Sequence, residues 1–185
     1  MNPSLRVFLA VTLVALGSWF ASAARSGNAD VPASAAPGKN WTAPAGKLYV
    51  QLLTNQIMAA HPELISVTFH GVPPGAAPKT YTMFGGSYPD RIGNPDDPDD
   101  VMVIETGVTL LDPRWHRTRD AVRKFVVQTP LRDAHGENIG LIVLAYKNPT
   151  DRTVSDGDFL RMALTLRDEL EPRIPSFAAL FNSVP

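Results

Sequence analysis

Two β-rich apolar runs separated by one tight polar turn constrain this chain more than any other feature. Lys124-Phe125-Val126-Val127-Gln128 leads into Thr129-Pro130-Leu131-Arg132-Asp133-Ala134-His135-Gly136-Glu137-Asn138-Ile139-Gly140. The run Leu141-Ile142-Val143-Leu144-Ala145-Tyr146 follows. Both flanks are β-branched or aromatic, and such runs joined by Gly- and Asp-containing turns read as a hairpin. Gly136 can adopt the positive φ the turn needs, and the Asp133 carboxylate can accept from nearby backbone N–H groups. The pattern predicts antiparallel pairing of Phe125–Leu131 with Ile139–Tyr146.

The remaining elements arrange themselves around that hairpin. Residues 47–61 place Tyr49, Leu52, Leu53, Gln56, Ile57 and Ala60 on one face at helical spacing, and Pro62 stops the helix. From Leu64 to His70 the sequence alternates, with Ile65, Val67 and Phe69 on one side and Ser66, Thr68 and His70 on the other, as in a half-buried strand. Lys79 to Phe84 reads as a second strand, Gly85 to Asp100 as a long loop, and Val101 to Leu111 as a third strand interrupted at Gly107. Ser155 with Asp158 forms a capping box for a last helix, whose apolar stripe is Phe159, Met162, Ala163, Leu166 and Leu170, with Pro172 helping to stop it. Strands that do not alternate with crossover helices disfavour a parallel nucleotide-binding fold. An α+β fold is predicted: an antiparallel sheet of about five strands with N- and C-terminal helices.

Three segments follow from composition. Residues 1–23 combine Arg6, an apolar run from Val7 to Leu16 and the step Ala21-Ser22-Ala23, the layout of a secretory signal peptide. Residues 24–46 are rich in Ala, Pro, Ser and Gly and are expected to form a disordered tether. Residues 47–185 form the folded domain. The chain has no cysteine, so an exported domain must rely on its core rather than on disulfides. The net charge of −1 becomes about −2 once the signal is removed, too balanced for nucleic-acid binding. The expected location is periplasmic or secreted, with no membrane span after signal cleavage.

The turn P-L-x-D-x-x-G-x-x-I-G followed by an apolar strand resembles the last hairpin of PAS, GAF and Cache sensor domains. With the leading helix, the element order and the signal peptide, the chain resembles a single Cache domain, the extracytoplasmic relative of PAS. That resemblance implies a bacterial sensor-type domain that binds a small molecule, such as a carboxylate or amino acid, and transforms nothing. Cache sensors normally continue into a membrane helix and a signalling output, and neither follows here. The resemblance therefore implies a binding module, either one that reports to a separate membrane receptor or kinase or one that has lost signalling altogether. Asp112-Pro113-Arg114-Trp115-His116-Arg117 is similar to the D-P-R…W-Y segment of amino-acid-binding Cache domains, which gives Arg114 the grip on a ligand carboxylate and Trp115 a wall of the pocket. His116 stands where the family pattern favours an aromatic.

If Ile65, Val67 and Phe69 pack on the first helix, Ser66, Thr68 and His70 face the other side of the sheet. The candidate ligand-binding residues are His70, Tyr81, Arg114, Trp115, His116, Gln128 and Tyr146. No catalytic residue, metal ligand or cofactor is expected. The four histidines lack H-x-x-x-H or H-E-x-x-H spacing, there is no cysteine to complete a zinc set, and Asp90, Asp96, Asp97, Asp99 and Asp100 do not follow a calcium-loop pattern. They read as a solvated loop. Gly85-Gly86 reads as a turn. Two alternatives stand beside the sensor: a hydrolase or isomerase using His70, Glu105 or His116 as acid or base, and a protein-interaction module.

Overall fold

The computed structural model describes residues 38–113, 122–151 and 153–185. Among the described residues, eight α-helices and strands run in chain order: α1 (Tyr49–Ala60), β1 (Leu64–Gly71), β2 (Thr82–Gly86), α2 (Pro98–Thr106), β3 (Leu110–Leu111), β4 (Lys124–Arg132), β5 (Asn138–Lys147) and α3 (Asp156–Leu170). The five strands form one antiparallel sheet in the order β2-β1-β5-β4-β3. This is the α+β architecture expected from the sequence, an antiparallel five-stranded sheet with helices at both ends of the domain.

The hairpin forms as predicted. Phe125 pairs with Tyr146 and Leu131 with Gly140. At its turn Asp133 Oδ1 accepts from the N–H groups of His135 at 2.9 Å and Glu137 at 3.2 Å, while Gly136 has φ 79°. The capping box of α3 also forms: Asp158 N donates to Ser155 Oγ at 3.2 Å, and Ser155 N donates to Asp158 Oδ2 at 2.8 Å.

Helices α1 and α3 cover one face of the sheet. The core lies between, built from Val50, Leu53 and Ile57 of α1, Val67 and Phe69 of β1, Val127 and Leu131 of β4, Ile142, Leu144 and Tyr146 of β5, and Phe159, Ala163 and Leu166 of α3. Leu64 takes the core position expected of Ile65, because the β1–β5 register shifts between Leu64 and Ser66. A bulge of this kind flips the side chains that precede it without disturbing those that follow.

The middle of the chain differs from its expected form. Val101–Leu111 is not a strand: its first half belongs to α2, which packs on the opposite face against β1, β4 and β5, and only Leu110–Leu111 pairs as a strand. The β-branched residues Val101, Val103 and Ile104 suggest a strand, but terminal signals override them. Asp97 is the N-cap, with its N–H donating to Asp100 Oδ2 at 3.2 Å. Pro98 opens the first turn, and Gly107 closes the helix at φ 72°. These are the start and stop signals of a helix.

Gly85 and Gly86 are part of β2 rather than a free turn. A Cβ on Gly85 would stand 2.6 Å from Val50 Cγ2, so the glycine lets α1 close on the strand. Within the stretch expected to be a tether, Asn40 N donates to Gly93 O at 2.9 Å, and the Trp41 ring packs edge-on against Phe181 at 6.0 Å. The packed chain thus begins ahead of Lys47. The segment 1–23 expected to be a signal peptide, and most of the segment 24–46 expected to be a tether, lie outside the described residues. Among the described residues no helix is long and apolar enough to cross a membrane.

Candidate functional site

The face of the sheet under α2 carries a polar cavity of about 80 Å³. Its floor follows from strand register. Thr68 of β1, Val143 of β5 and Gln128 of β4 lie in one cross-strand row, and Ser66, Ala145 and Val126 lie in the next. The central strand contributes only the short side chains Val143 and Ala145, so the longer polar side chains on either side border a trough. His70 extends the β1 side and Lys124 the β4 side. Tyr88 and Arg91 arrive from the three-ten turn Pro89–Arg91, and Asp97 and Asp100 from the start of α2.

His70 is fixed by backbone as well as side chain. The β1–β2 register shifts between Phe69 and His70, and on the other side Gly140 of β5 lies so close that a Cβ there would stand 2.4 Å from His70 O. Its ring is held at both nitrogens, Nδ1 by Asp96 Oδ1 at 2.7 Å and Nε2 by Thr68 Oγ1 at 2.7 Å. Asp96 is delivered by the loop after β2, which folds back on that strand. Gly93 N donates to Met83 O at 2.8 Å, Met83 N to Asn94 O at 3.1 Å, and Asp96 N to Tyr81 O at 3.2 Å. The Asp96 side chain is 1% exposed.

Asp100 reaches the same cluster from the first turn of α2. Gln128 Nε2 donates to Asp100 Oδ1 at 2.7 Å and to Asp99 Oδ2 at 3.1 Å, which ties the helix to the sheet. Burial pushes both Asp96 and Asp100 above the ordinary carboxylate range, despite the imidazole beside them. Burial works to lower His70, but the hydrogen bond it makes to Asp96 and the charges of Asp96 and Asp100 outweigh it and hold the imidazole above its ordinary value. Two buried acceptors, Asp96 Oδ2 and Gln128 Oε1, have no hydrogen-bond partner among the described residues.

Of the candidate residues read from sequence, His70 and Gln128 line this cavity. Tyr146 does not. It faces the helix-covered core, 1% exposed, with its ring 5.2 Å from Phe159. It occupies the same strand parity as Leu144 and Ile142, and that parity points to α3. Tyr81 lies ahead of β2, away from the cavity wall, with its hydroxyl donating to Glu105 Oε1 at 2.8 Å. Its contribution to the site is the backbone carbonyl that holds Asp96. Arg114, Trp115 and His116 lie outside the described residues.

Sequence reasoning missed Asp96, Asp97 and Asp100 as site residues because it took the aspartate-rich stretch for a solvated loop. The run Asp97-Pro98-Asp99-Asp100 held the signal: an Asp N-cap, Pro in the first turn and an acidic residue three positions on mark a helix start. A helix there brings Asp100 over the sheet.

No protein-family model matches the chain, and no curated protein matches it. Among solved structures it is similar to the sensor domain of DcuS from E. coli, at 15% sequence identity over 65% of this chain and 72% of that one, with a TM-score of 0.37.

Proposed function

We propose that this chain is an exported, sensor-type domain that binds one small polar molecule between α2 and the sheet. The observation that supports it most is the cavity itself. It lies on the face away from the core and is bordered by groups of both signs, Asp97 and Asp100 on the α2 side with Arg91 and Lys124 around the rim. Convergent polar groups in a concave site are the usual mark of small-ligand recognition. At about 80 Å³ the cavity is small beside the roughly 300–1,000 Å³ of pockets for drug-sized ligands, so the fitting ligands are the smallest carboxylates and amino acids. In this reading an ammonium group meets Asp100, and a carboxylate meets the cationic rim. Arg114, Trp115 and His116 join the site as the Cache resemblance implies, with Arg114 gripping the carboxylate. Occupancy is reported to a membrane receptor or kinase.

Calorimetry on the full chain against a panel of small carboxylates, amines and amino acids tests this. A saturable ligand should emerge, and Asp100→Asn and Arg114→Ala should each weaken it, Arg114→Ala by about 2–5 kcal/mol if its ion pair is buried. A panel without any saturable binder, or binding untouched by both substitutions, overturns the reading. Export is tested separately by the mass of protein recovered from its host: a mature terminus at Ala24 supports it, and full-length protein held in the membrane fraction contradicts it.

One observation favours hydrolysis as a second reading. Thr68 Oγ1, His70 and Asp96 form a hydroxyl–imidazole–carboxylate line with both contacts at 2.7 Å, the connectivity of a nucleophile, base and orienting acid. A nucleophile needs open access to its substrate, and Thr68 is only 7% exposed. Turnover of activated esters that is lost in Thr68→Val would establish it.

A further inference from the structure

We propose that His70, Asp96 and Asp100 form a binding site for one divalent first-row cation, Zn²⁺ fitting best, seated where His70 and Asp96 now share a hydrogen bond. One imidazole nitrogen and one oxygen from each carboxylate all lie within 4.8 Å of one another. With ligand bonds of ~2.0–2.2 Å, donors around a tetrahedral zinc stand about 3.4 Å apart. Small side-chain rotations therefore convert the present cluster into a coordination shell. The donor set of one imidazole and two carboxylates suits zinc and its first-row neighbours better than magnesium or calcium, which take oxygen alone.

A second observation points the same way. Asp96 Oδ2 and Gln128 Oε1 are buried acceptors without a hydrogen-bond partner among the described residues. A buried acceptor needs a donor or a positive charge, and a cation with its bound water supplies both. The surroundings are those of a metal site one layer out. Nε2 of His70 lies 2.7 Å from Thr68 Oγ1, the kind of contact that fixes the tautomer and ring orientation of a metal-ligating histidine. Gln128 holds Asp100 from the sheet side. The cation replaces the proton between His70 and Asp96, which passes to solvent, and its open position faces the cavity. The sequence hides this set because His70 lies 26 residues ahead of Asp96, and the loop that folds back on β2 and the start of α2 bring Asp96 and Asp100 to it.

The test uses the full chain, stripped with EDTA and titrated with Zn²⁺ by calorimetry, with Co²⁺ as a spectroscopic stand-in. One Zn²⁺ per chain is expected, with visible Co²⁺ absorption of low-symmetry coordination. Thr68→Val should weaken Zn²⁺ by about 10- to 100-fold, the range for outer-shell changes, and His70→Gln and Asp96→Asn, which alter ligands themselves, by at least about 100-fold. Circular dichroism confirms that each variant is folded. Should His70→Gln fail to fold, Thr68→Val and the Co²⁺ spectrum decide the matter. Asp97, Asp99 and Asp100 form an overlapping acidic group, so Asp99→Asn is the discriminating variant. Loss of binding in Asp99→Asn with retention in His70→Gln moves the ion out of this site and overturns the proposal. Non-saturable binding, or wild-type affinity in both His70→Gln and Asp96→Asn, overturns it as well.

Discussion

On the face of the sheet covered by α1 and α3, Phe69, Val127 and Leu144 are fully buried and Tyr146 is 1% exposed, each packed among apolar neighbours. On the face under α2, β1 and β4 present Thr68, His70 and Gln128, which are almost as well buried but polar, and meet Asp96 and Asp100. The same backbone carries both because strand side chains alternate. Burying an apolar side chain contributes about 1.5–3 kcal/mol. Burying a polar group costs free energy unless every atom finds a partner, and here two acceptors do not. The first face holds the fold together. The second gives up stability to keep charged groups dry and close.

The largest expected effect tests that division directly. Phe69→Ala empties a core position that touches Phe84 at a ring separation of 6.5 Å and should cost about 3–5 kcal/mol, read as a drop in the urea midpoint. A loss under about 1 kcal/mol, within the range of surface substitutions, would show that the helix-covered face does not dominate stability.

Asp96→Ala, on the other face, should cost less. It strands the His70 Nδ1–H, a penalty of about 1–3 kcal/mol, but it also removes a buried carboxylate whose own desolvation opposed folding. If Asp96→Ala costs as much as Phe69→Ala, the cavity face is a structural core in disguise and the contrast collapses.

Much of the first face was legible in the sequence, and less of the second. The hairpin, α1, β1 and α3 announce themselves through periodicity and caps, and strand alternation alone sends Ser66, Thr68 and His70 away from α1. Tyr146 was misplaced because its hydroxyl suggested a ligand wall, although its parity with Leu144 and Ile142 sets it toward α3. The polar cluster depends on tertiary events that periodicity does not encode: the fold-back of residues 93–96 onto β2, the bulges in β1, and a helix at 98–106 whose β-branched residues read as a strand. What assembles the site is the loop geometry, and local sequence reports that only through the Asp97–Asp100 cap.

The two faces should also respond differently to pH. His70, Asp96 and Asp100 all hold protons more tightly in the folded chain than at their ordinary values of 6.5 and 3.8. The stability this gives is complete below those values and is lost as pH rises through the higher folded ones. EDTA-treated protein should therefore show a falling urea midpoint as pH is raised from 6 upward. His70→Gln should flatten that fall, whereas Phe69→Ala should shift the whole curve down without changing its slope. A wild-type midpoint that rises over that range contradicts the upward shift of His70.

The smallest effect sharpens the comparison from the helix side. Ser155 caps α3, accepting from Asp158 N, and the bonds that its hydroxyl and then its backbone N–H donate to the Asp158 carboxylate hold that group below its ordinary range. Ser155→Ala removes that cap and should cost about 1 kcal/mol. Helix α3 packs on β4 and β5 from the side away from the cavity, so the loss should appear in the urea midpoint while affinity for any cavity ligand, or for Zn²⁺, stays within about two-fold. The backbone of β4 and β5 is common to both faces, and a looser α3 can alter the site only by moving those strands. Close-packed cores resist such movement until they unfold, so stability and binding should separate. A Ser155→Ala variant that loses both together would mean that the faces are mechanically coupled through the sheet, which is the property a sensor needs to report its ligand from one side to the other.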